Sequence, residues 1–372
     1  MWTQEQYNVL VQRVRELNIK IEILNSNDII VDRIEGLAID GNIDISSDSP
    51  IRRTCSLKMV LTTKLIPSPS SPIWLNKRFR LWVGIRSLIT DEIIWFNYGI
   101  YTIADPSIDI EISSKTISIK GYDKNCLING DISGNLMSKV IIESGTPIHE
   151  AIRATVTTLG GESRVLIDTS PYTTPYKIEK DAGSTVWDIV DELTNLYMNF
   201  QSFYDTSGRF VFTQKRNKLN DPIIWDFSQT DFRLNGGVQI NFNNIKNNYT
   251  IYGKLKDDGI QLKAEKTLTN TNSNSDFTVD KIGQRNFFLQ NDKLFTQEQC
   301  DQQLNWEIKQ HTNFCEKVNI SCIPIYMLSV NDLVYFNNPE DNLVGKYCIT
   351  NISVSLKPDS SMGLQGYRVY EI

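Results

Sequence analysis

Most of the chain alternates between apolar and polar residues with period two. The exception at the start is a short helix. There Tyr7, Leu10, Val11, Val14 and Leu17 recur at helical spacing behind Thr3, a residue suited to cap the first turn. From Ile19 the pattern Ile19-Lys20-Ile21-Glu22-Ile23 is strict alternation. Residues 29–31, 43–45, 55–61, 79–85, 93–98 and 99–103 continue it between Asn, Asp and Gly turns. Short strands at this spacing predict a sandwich or barrel. Pro67, Pro69 and Pro72 predict a loop at its edge, because proline donates no ladder hydrogen bond. Trp74, Trp82, Trp95 and Phe96 fall within these strands and are expected to fill the first core.

The period changes in the middle of the chain. Thr146-Pro147 is a helix start, followed by Ile148, Ala151, Ile152, Val156 and Leu159 on one face and Gly160-Gly161 as the stop. A second helix opens at Ser184-Thr185, with Val186, Ile189, Val190, Leu193, Leu196 and Tyr197 on its apolar face. Residues 200–204 and 209–212 flank Asp205-Thr206-Ser207-Gly208 and predict a hairpin. After this α+β unit the β pattern returns at 245–253. Residues 268–278 are a polar run that reads as a mobile loop. Thr296-x-x-Gln299 is a capping box opening a helix with Leu304, Ile308 and His311 on one stripe. Strands are predicted at 317–322, 332–336, 346–350 and 366–370. The fold class predicted is mainly β with an α+β middle: two tube-like barrel or sandwich domains, 1–124 and 236–372, and a small helix–hairpin domain, 125–235.

The two β regions echo each other. Gly99-Ile100-Tyr101-Thr102-Ile103 precedes Ile119-Lys120-Gly121-Tyr122, and Gly345-Lys346-Tyr347-Cys348-Ile349 precedes Gly366-Tyr367-Arg368-Val369 at nearly the same spacing. This is either a duplicated β-domain or a simple β pattern met twice. A duplication would let three subunits imitate a six-fold ring.

Composition narrows the function. The 372 residues suit roughly two to four domains. A net charge of −6 opposes a phosphate-gripping nucleic-acid binder, which needs a basic face. No apolar run reaches the about 18 residues of a membrane span. Met1-Trp2-Thr3-Gln4-Glu5-Gln6 lacks the basic, then apolar, start of a signal peptide, so folding in a cytosol is expected. Cys55, Cys126, Cys300, Cys315, Cys322 and Cys348 form no C-x-x-C pair. With His149 and His311 the only histidines, the cysteines read as buried reduced thiols rather than zinc ligands.

Catalytic groupings are lacking. Gly160-Gly161 and Gly236-Gly237 have no phosphate-loop spacing, and no serine sits in a nucleophile elbow. Asp188, Asp191 and Glu192 lie on a helix's polar face, whereas glycoside hydrolysis needs acids converging in a cleft. Asp40, Asp44 and Asp48 form an acidic stretch, read either as solvated turn acids or as a loop facing a channel or cation. It lacks the closing Glu of a calcium-binding loop. No cofactor is expected.

In order along the chain, several stretches resemble phage baseplate or tail-tip hub proteins. The early strand is Ser49-Pro50-Ile51-Arg52-Arg53-Thr54-Cys55-Ser56-Leu57, and the next unit runs from Trp74 to Ile85. The Gly99 and Gly121 strands close the first domain. Thr185-Val186-Trp187-Asp188-Ile189, leading into Tyr204-Asp205-Thr206-Ser207-Gly208, resembles the middle helix–hairpin. Asn247–Gly253 and Val330-Asn331-Asp332-Leu333-Val334 belong to the last domain. The resemblance implies a non-enzymatic homotrimer at a virion tail tip, assembled in a bacterial cytoplasm. Its partners would be a tail-tube or distal-tail ring, a spike, fibre or receptor-binding protein, and the end of the tape-measure protein. DNA would pass through without sequence-specific binding. The chain closes at Tyr370-Glu371-Ile372 directly after the last strand, so a hydrolase is expected on another polypeptide. The alternatives are a wall-degrading enzyme or a carbohydrate-binding receptor protein.

Overall fold

The opening helix is shorter than its periodicity predicts. In the computed structural model, α1 spans Gln4–Val11, capped by Thr3 and Gln6 in a reciprocal box: Thr3 Oγ1 accepts from Gln6 N, and Gln6 Oε1 accepts from Thr3 N. The backbone is extended by Gln12, and Leu17 already begins the first strand. The structure describes residues 3–369 apart from 76, 112–113, 216–217, 257–258, 313–315 and 358. Cys315 and Tyr370-Glu371-Ile372 therefore lie outside the described residues.

The fold is mainly β with small helical parts. Its first block comprises β1 (Leu17–Leu24), β2 (Ile30–Glu35), β3 (Ala38–Ser46), β4 (Arg53–Val60), β5 (Arg78–Arg86), β6 (Ile93–Ile110) and β7 (Lys115–Tyr122). These pair antiparallel in the order β2-β1-β5-β6-β7-β4-β3. Alternation places Leu81, Val83, Ile85 and Phe96 inside, which turns Trp82 and Trp95 to the opposite face. The expectation that these two tryptophans fill the core is therefore corrected. They flank Lys20, whose Nζ lies 5.1 Å and 4.1 Å from their ring centroids, and Trp82 Nε1 donates to Glu22 Oε2. Phe96 is in the core, and Trp74 is half-buried.

The middle segment has a core of its own. It contains β8 (Val140–Ile142), α2 (Ile148–Ala154), β9 (Val165–Ile167), β10 (Ile178–Lys180), α3 (Val186–Asn195), β11 (Phe200–Tyr204) and β12 (Phe210–Gln214). Thr185 and Asp188 form a capping box on α3, and β11 and β12 form the predicted hairpin, with Gly208 at φ +73° in its turn. Thr146 does not cap α2. Pro147 takes the cap position, and the Thr146 hydroxyl donates to Glu143 O.

The chain then adds β13 (Ile223–Asp226) and β14 (Arg233–Ile240). Next is a small unit of β15 (Asn248–Leu255), β16 (Gln261–Thr267), α4 (Val279–Ile282), β17 (Asn286–Gln290) and α5 (Gln297–Thr312). Its core includes Tyr249, Ile251, Leu304 and Ile308. The polar run 268–278 is folded onto this unit rather than left free. Thr278 Oγ1 donates to Asn270 Oδ1, Asn272 Nδ2 donates to Thr267 O, and Thr278 is fully buried. Short polar side chains close such turns by replacing backbone partners.

The last strands are β18 (Glu316–Cys322), β19 (Leu333–Asn338), β20 (Leu343–Ser355) and β21 (Met362–Arg368). They repeat the first block. The order β3-β4-β7-β6-β5-β1 in one half corresponds to β14-β18-β21-β20-β19-β13 in the other, with the last pair parallel only in the second. Register carries the correspondence to single residues. Gly99 lies opposite Leu81 and Gly345 opposite Phe336. Four residues on in each strand, Ile103 meets Gly121 and Ile349 meets Gly366. Gly99 and Gly345 adopt φ +118° and +119°, a region that disfavours side chains. Tyr101 and Tyr347 are both fully buried.

The halves are one sheet. β20 pairs with β3 from Asn351↔Ser46 to Ser355↔Asn42, and Ile43, Ile45, Ile352 and Val354 join a single core spanning both. A buried ionic clasp ties the first half to the middle segment. Lys124 Nζ lies 3.0 Å from Asp28 Oδ2 and 2.5 Å from Glu162 Oε2, and donates to Gly208 O. Arg78 and Arg164 also reach Asp28, at 2.8 Å and 3.1 Å. Burial alone would raise the Asp28 carboxyl. Lys124 and Arg78 outweigh it and hold the group below its ordinary value.

Three outcomes follow. A Cβ on Gly366 would sit 2.5 Å from Cys348 O, whereas one on Gly237 meets nothing within 4 Å. Gly366→Ala should therefore cost about 1–3 kcal/mol in denaturant unfolding, and Gly237→Ala should change little. Lys124→Met leaves two buried carboxylates facing one another with one cation fewer. It should cost about 3–5 kcal/mol by the same measurement. The third concerns Asp123, which accepts from Arg53 N and Asn125 N and whose carboxyl burial pushes up to about 6. A raised folded value means that this group's contribution is complete below the unfolded value and is lost as pH rises through about 6. Asp123→Asn should remove that slope. The variant's unfolding free energy should gain on the wild type's between pH 4 and 7, by on the order of 2 kcal/mol in denaturant titrations, on top of a constant offset.

Candidate assembly surface

The sheet that carries the core on one side carries a polar wall on the other. Because residues directly opposite in antiparallel strands share a face, register defines its rows. One row runs Ser321, Gly363, Ser353, Asp44, Thr54 and Tyr122 across β18, β21, β20, β3, β4 and β7. The next runs Asn319, Gln365, Asn351 and Ser46. On the first half, Ser355, Asn42, Ser56, Lys120 and Ala104 form another. Small uncharged polar side chains dominate, and both halves contribute.

Two of the three acids singled out by sequence stand on this wall. Asp40 and Asp44 lie in β3, four residues apart on one face and so about 13 Å from each other along the strand. Asp40 is opposite Lys58, and Lys357 Nζ lies 3.2 Å from its carboxylate. Asn42 Nδ2 donates to Asp44 Oδ2. Asp48 is in the turn beyond β3, where the Ser47 hydroxyl donates to it. The structure thus does not bring the three to one point. No group of three His, Cys, Asp or Glu able to hold a metal occurs among the described residues. Lys58, Lys120 and Lys317, all exposed on the same face, escaped the sequence reading. Only the register between distant strands sets Lys58 opposite Asp40 and puts Lys120 on the row of Asn42, between the rows of the two acids.

The other candidate acids have structural employment. Asp188 closes the cap of α3. Glu192 pairs with Lys180 at 2.7 Å and accepts from Tyr176. Burial alone would raise Glu192, but Lys180 and Tyr176 hold it below its ordinary value. Burial raises Asp191, which accepts from Asn195. His149 Nδ1 accepts from Ser170 N, and His311 Nδ1 is 2.7 Å from Asn244 O. Cys55, Cys126, Cys300, Cys322 and Cys348 are buried free thiols. A cleft of about 1350 Å³ between the sheet and the middle segment is lined by Arg52, Phe203, Lys215 and Trp306 among others. Two of its cations are spent on rings: Arg52 covers Phe203 at 3.7 Å and Lys215 covers Trp306 at 4.2 Å.

Comparison with known proteins places this architecture. A family described as a domain of unknown function, DUF5048, matches residues 274–372. No curated protein sequence matches the chain. Among solved structures, the 43 kDa tail protein of prophage MuSo2 from Shewanella oneidensis is similar at 14% identity and a TM-score of 0.63, covering 94% of this chain and 98% of that one. A tail protein from Neisseria meningitidis MC58 is similar at 10% identity and a TM-score of 0.64, covering 94% and 96%. A chain of the Francisella PdpA–VgrG complex is similar at 13% identity and a TM-score of 0.58, covering 96% of this chain and 59% of that one. With both β halves and the middle segment inside the matched length, the fold of this chain is that of phage tail proteins, carried by a sequence far diverged from theirs.

Proposed function

We propose that this chain is the structural hub of a phage tail tip or baseplate, acting by geometry rather than by catalysis. In this reading residues 1–124 and 236–372 form the bulk of two tube-like domains and 125–235 a middle domain, whose end lends β13 and the start of β14 to the second tube-like sheet. Three copies form a ring whose six similar β-domains face the hexameric tail tube or a distal-tail ring. The other side, three-fold, receives a spike, fibre or receptor-binding protein. The observation that carries the proposal is the repeated strand order with matched register, joined in one chain by β3 and β20. Two equivalent domains per subunit are what a three-fold ring needs to meet a six-fold one.

The polar wall supports a lumen. Its rows of Ser, Thr, Asn and Gln, with Asp40 and Asp44 interleaved among single lysines, form no continuous cationic track along a phosphate backbone. In this reading Asp40, Asp44 and Asp48 face the channel, which holds the tape-measure protein's end and later passes DNA. Electron microscopy of assembled tail tips tests the proposal. The expected map has three copies of the chain in a ring of six similar densities coaxial with the tube. A single copy at the periphery, or a ring with no six-fold pseudosymmetry, would overturn it.

A further inference from the structure

The repeat also indicates what covers two of the sheet's free edges, the end of β6 and β14. Along Asn351–Ser355, β20 is paired on both sides, with β21 and with β3. Its counterpart in the first half is the end of β6. Ser107 lies opposite Ser118 and Ile108 opposite Ile117, as Ser353 lies opposite Gly363 and Val354 opposite Met362. That stretch of β6 is paired on one side only, with β7, among the described residues. The counterpart of β3 is β14, which ends the sheet and, among the described residues, pairs only with β18. Register again fixes the equivalences. Ile43 opposite Cys55 corresponds to Val238 opposite Val318, and Gly41 opposite Leu57 to Gly236 opposite Ile320. Both glycines are required by the same contact: an added Cβ would lie 2.7 Å from Ser56 O in one case and 2.9 Å from Asn319 O in the other.

We infer that the outer edge of β6 in one subunit pairs antiparallel with the outer edge of β14 in a second copy of this chain, with Ser107 opposite Gln239, Ile108 opposite Val238 and Asp109 opposite Gly237. This repeats between subunits the β3–β20 pairing made within each, and it rests on the ring reading above. Exposure argues for the same occupant. Ile43, Ile45 and Val354 are 0%, 4% and 0% exposed in the internal pairing. At the free edges Ile108 and Ile240, the equivalents of Val354 and Ile45, are 38% exposed each, and Ile110 is 72% exposed. An unpaired edge with apolar side chains is a template for another strand. The bulge at Asp105-Pro106 sets where the ladder starts, since Pro106 has no N–H to give. The contact is head-to-tail, so it forms a closed ring when its rotation closes.

Cysteines at opposed positions test the register, because a disulfide needs Cα atoms about 4.4–6.8 Å apart. The full chain carrying Ile108→Cys with Val238→Cys, and separately Ser107→Cys with Gln239→Cys, is assembled into tail tips and oxidised. Asp44→Cys with Ser353→Cys, opposed within one chain, reports that the fold and oxidation are intact. The expected result is a reducible covalent trimer from at least one intersubunit pair and from none of the single variants. Three copies per tip with the internal bridge formed, but no intersubunit product from either pair, would overturn this pairing and leave the hub reading standing. Tips holding other than three copies would overturn both.

Discussion

The β3–β20 pairing is the constraint on which the rest depends. It is five residue pairs long, and without it each half would end in an open edge. With it, the side chains of both halves share one apolar core and one polar wall. A sheet edge left in water is a liability, and covering it from within the chain fixes how the halves stand to each other. Register does the fixing. A slip of one residue would bring Ile43 and Ile45 out of the core and put Asp44 into it.

The ionic clasp around Lys124 is of another kind. Burying a lysine with two carboxylates brings little net stability compared with an apolar filling, because desolvation offsets most of the attraction. What it supplies is position. Asp28 comes from the β1–β2 turn, Arg78 from β5, and Glu162 and Arg164 from the middle segment. Arg53 Nη1 adds a bond to Tyr204 O, and Arg52 stacks on Phe203. The hairpin β11–β12 is thereby held against the start of β4 and the segment just after β7, and the middle segment is set relative to the wall.

Local signals along the sequence carried much of this fold. Period-two alternation marked β1, β4 and β5. The caps at Thr3 and Thr296 formed as predicted, and the helix opening at Ser184-Thr185 proved to be capped by Thr185, because an N-cap is decided within four residues. The glycine–tyrosine echo was visible too, though as bare pattern it could not be told from chance. Non-local facts were not legible. Nothing near Ser353 signals that Asp44 is its neighbour, and nothing near Lys124 signals Asp28 or Glu162. Trp82 and Trp95 lie outside the core despite their size, because alternation with Leu81 and Phe96 turns them outward. Asp40 and Asp44 were legible as acids, but their position on a strand facing Lys58 and Ser353 depends on pairing across the chain.

The two β halves, alike in strand order and register, form one cooperative sheet. Native-state hydrogen exchange of the full chain addresses that cooperativity directly, since amides that open only on global unfolding share one protection free energy. The account predicts that the amides of residues 43–45 and 352–354 are protected to the same level as those of Leu57 and Leu364 in the interiors of the two halves. Exchange of the junction amides through a lower-energy opening, with both interiors still protected, would contradict it.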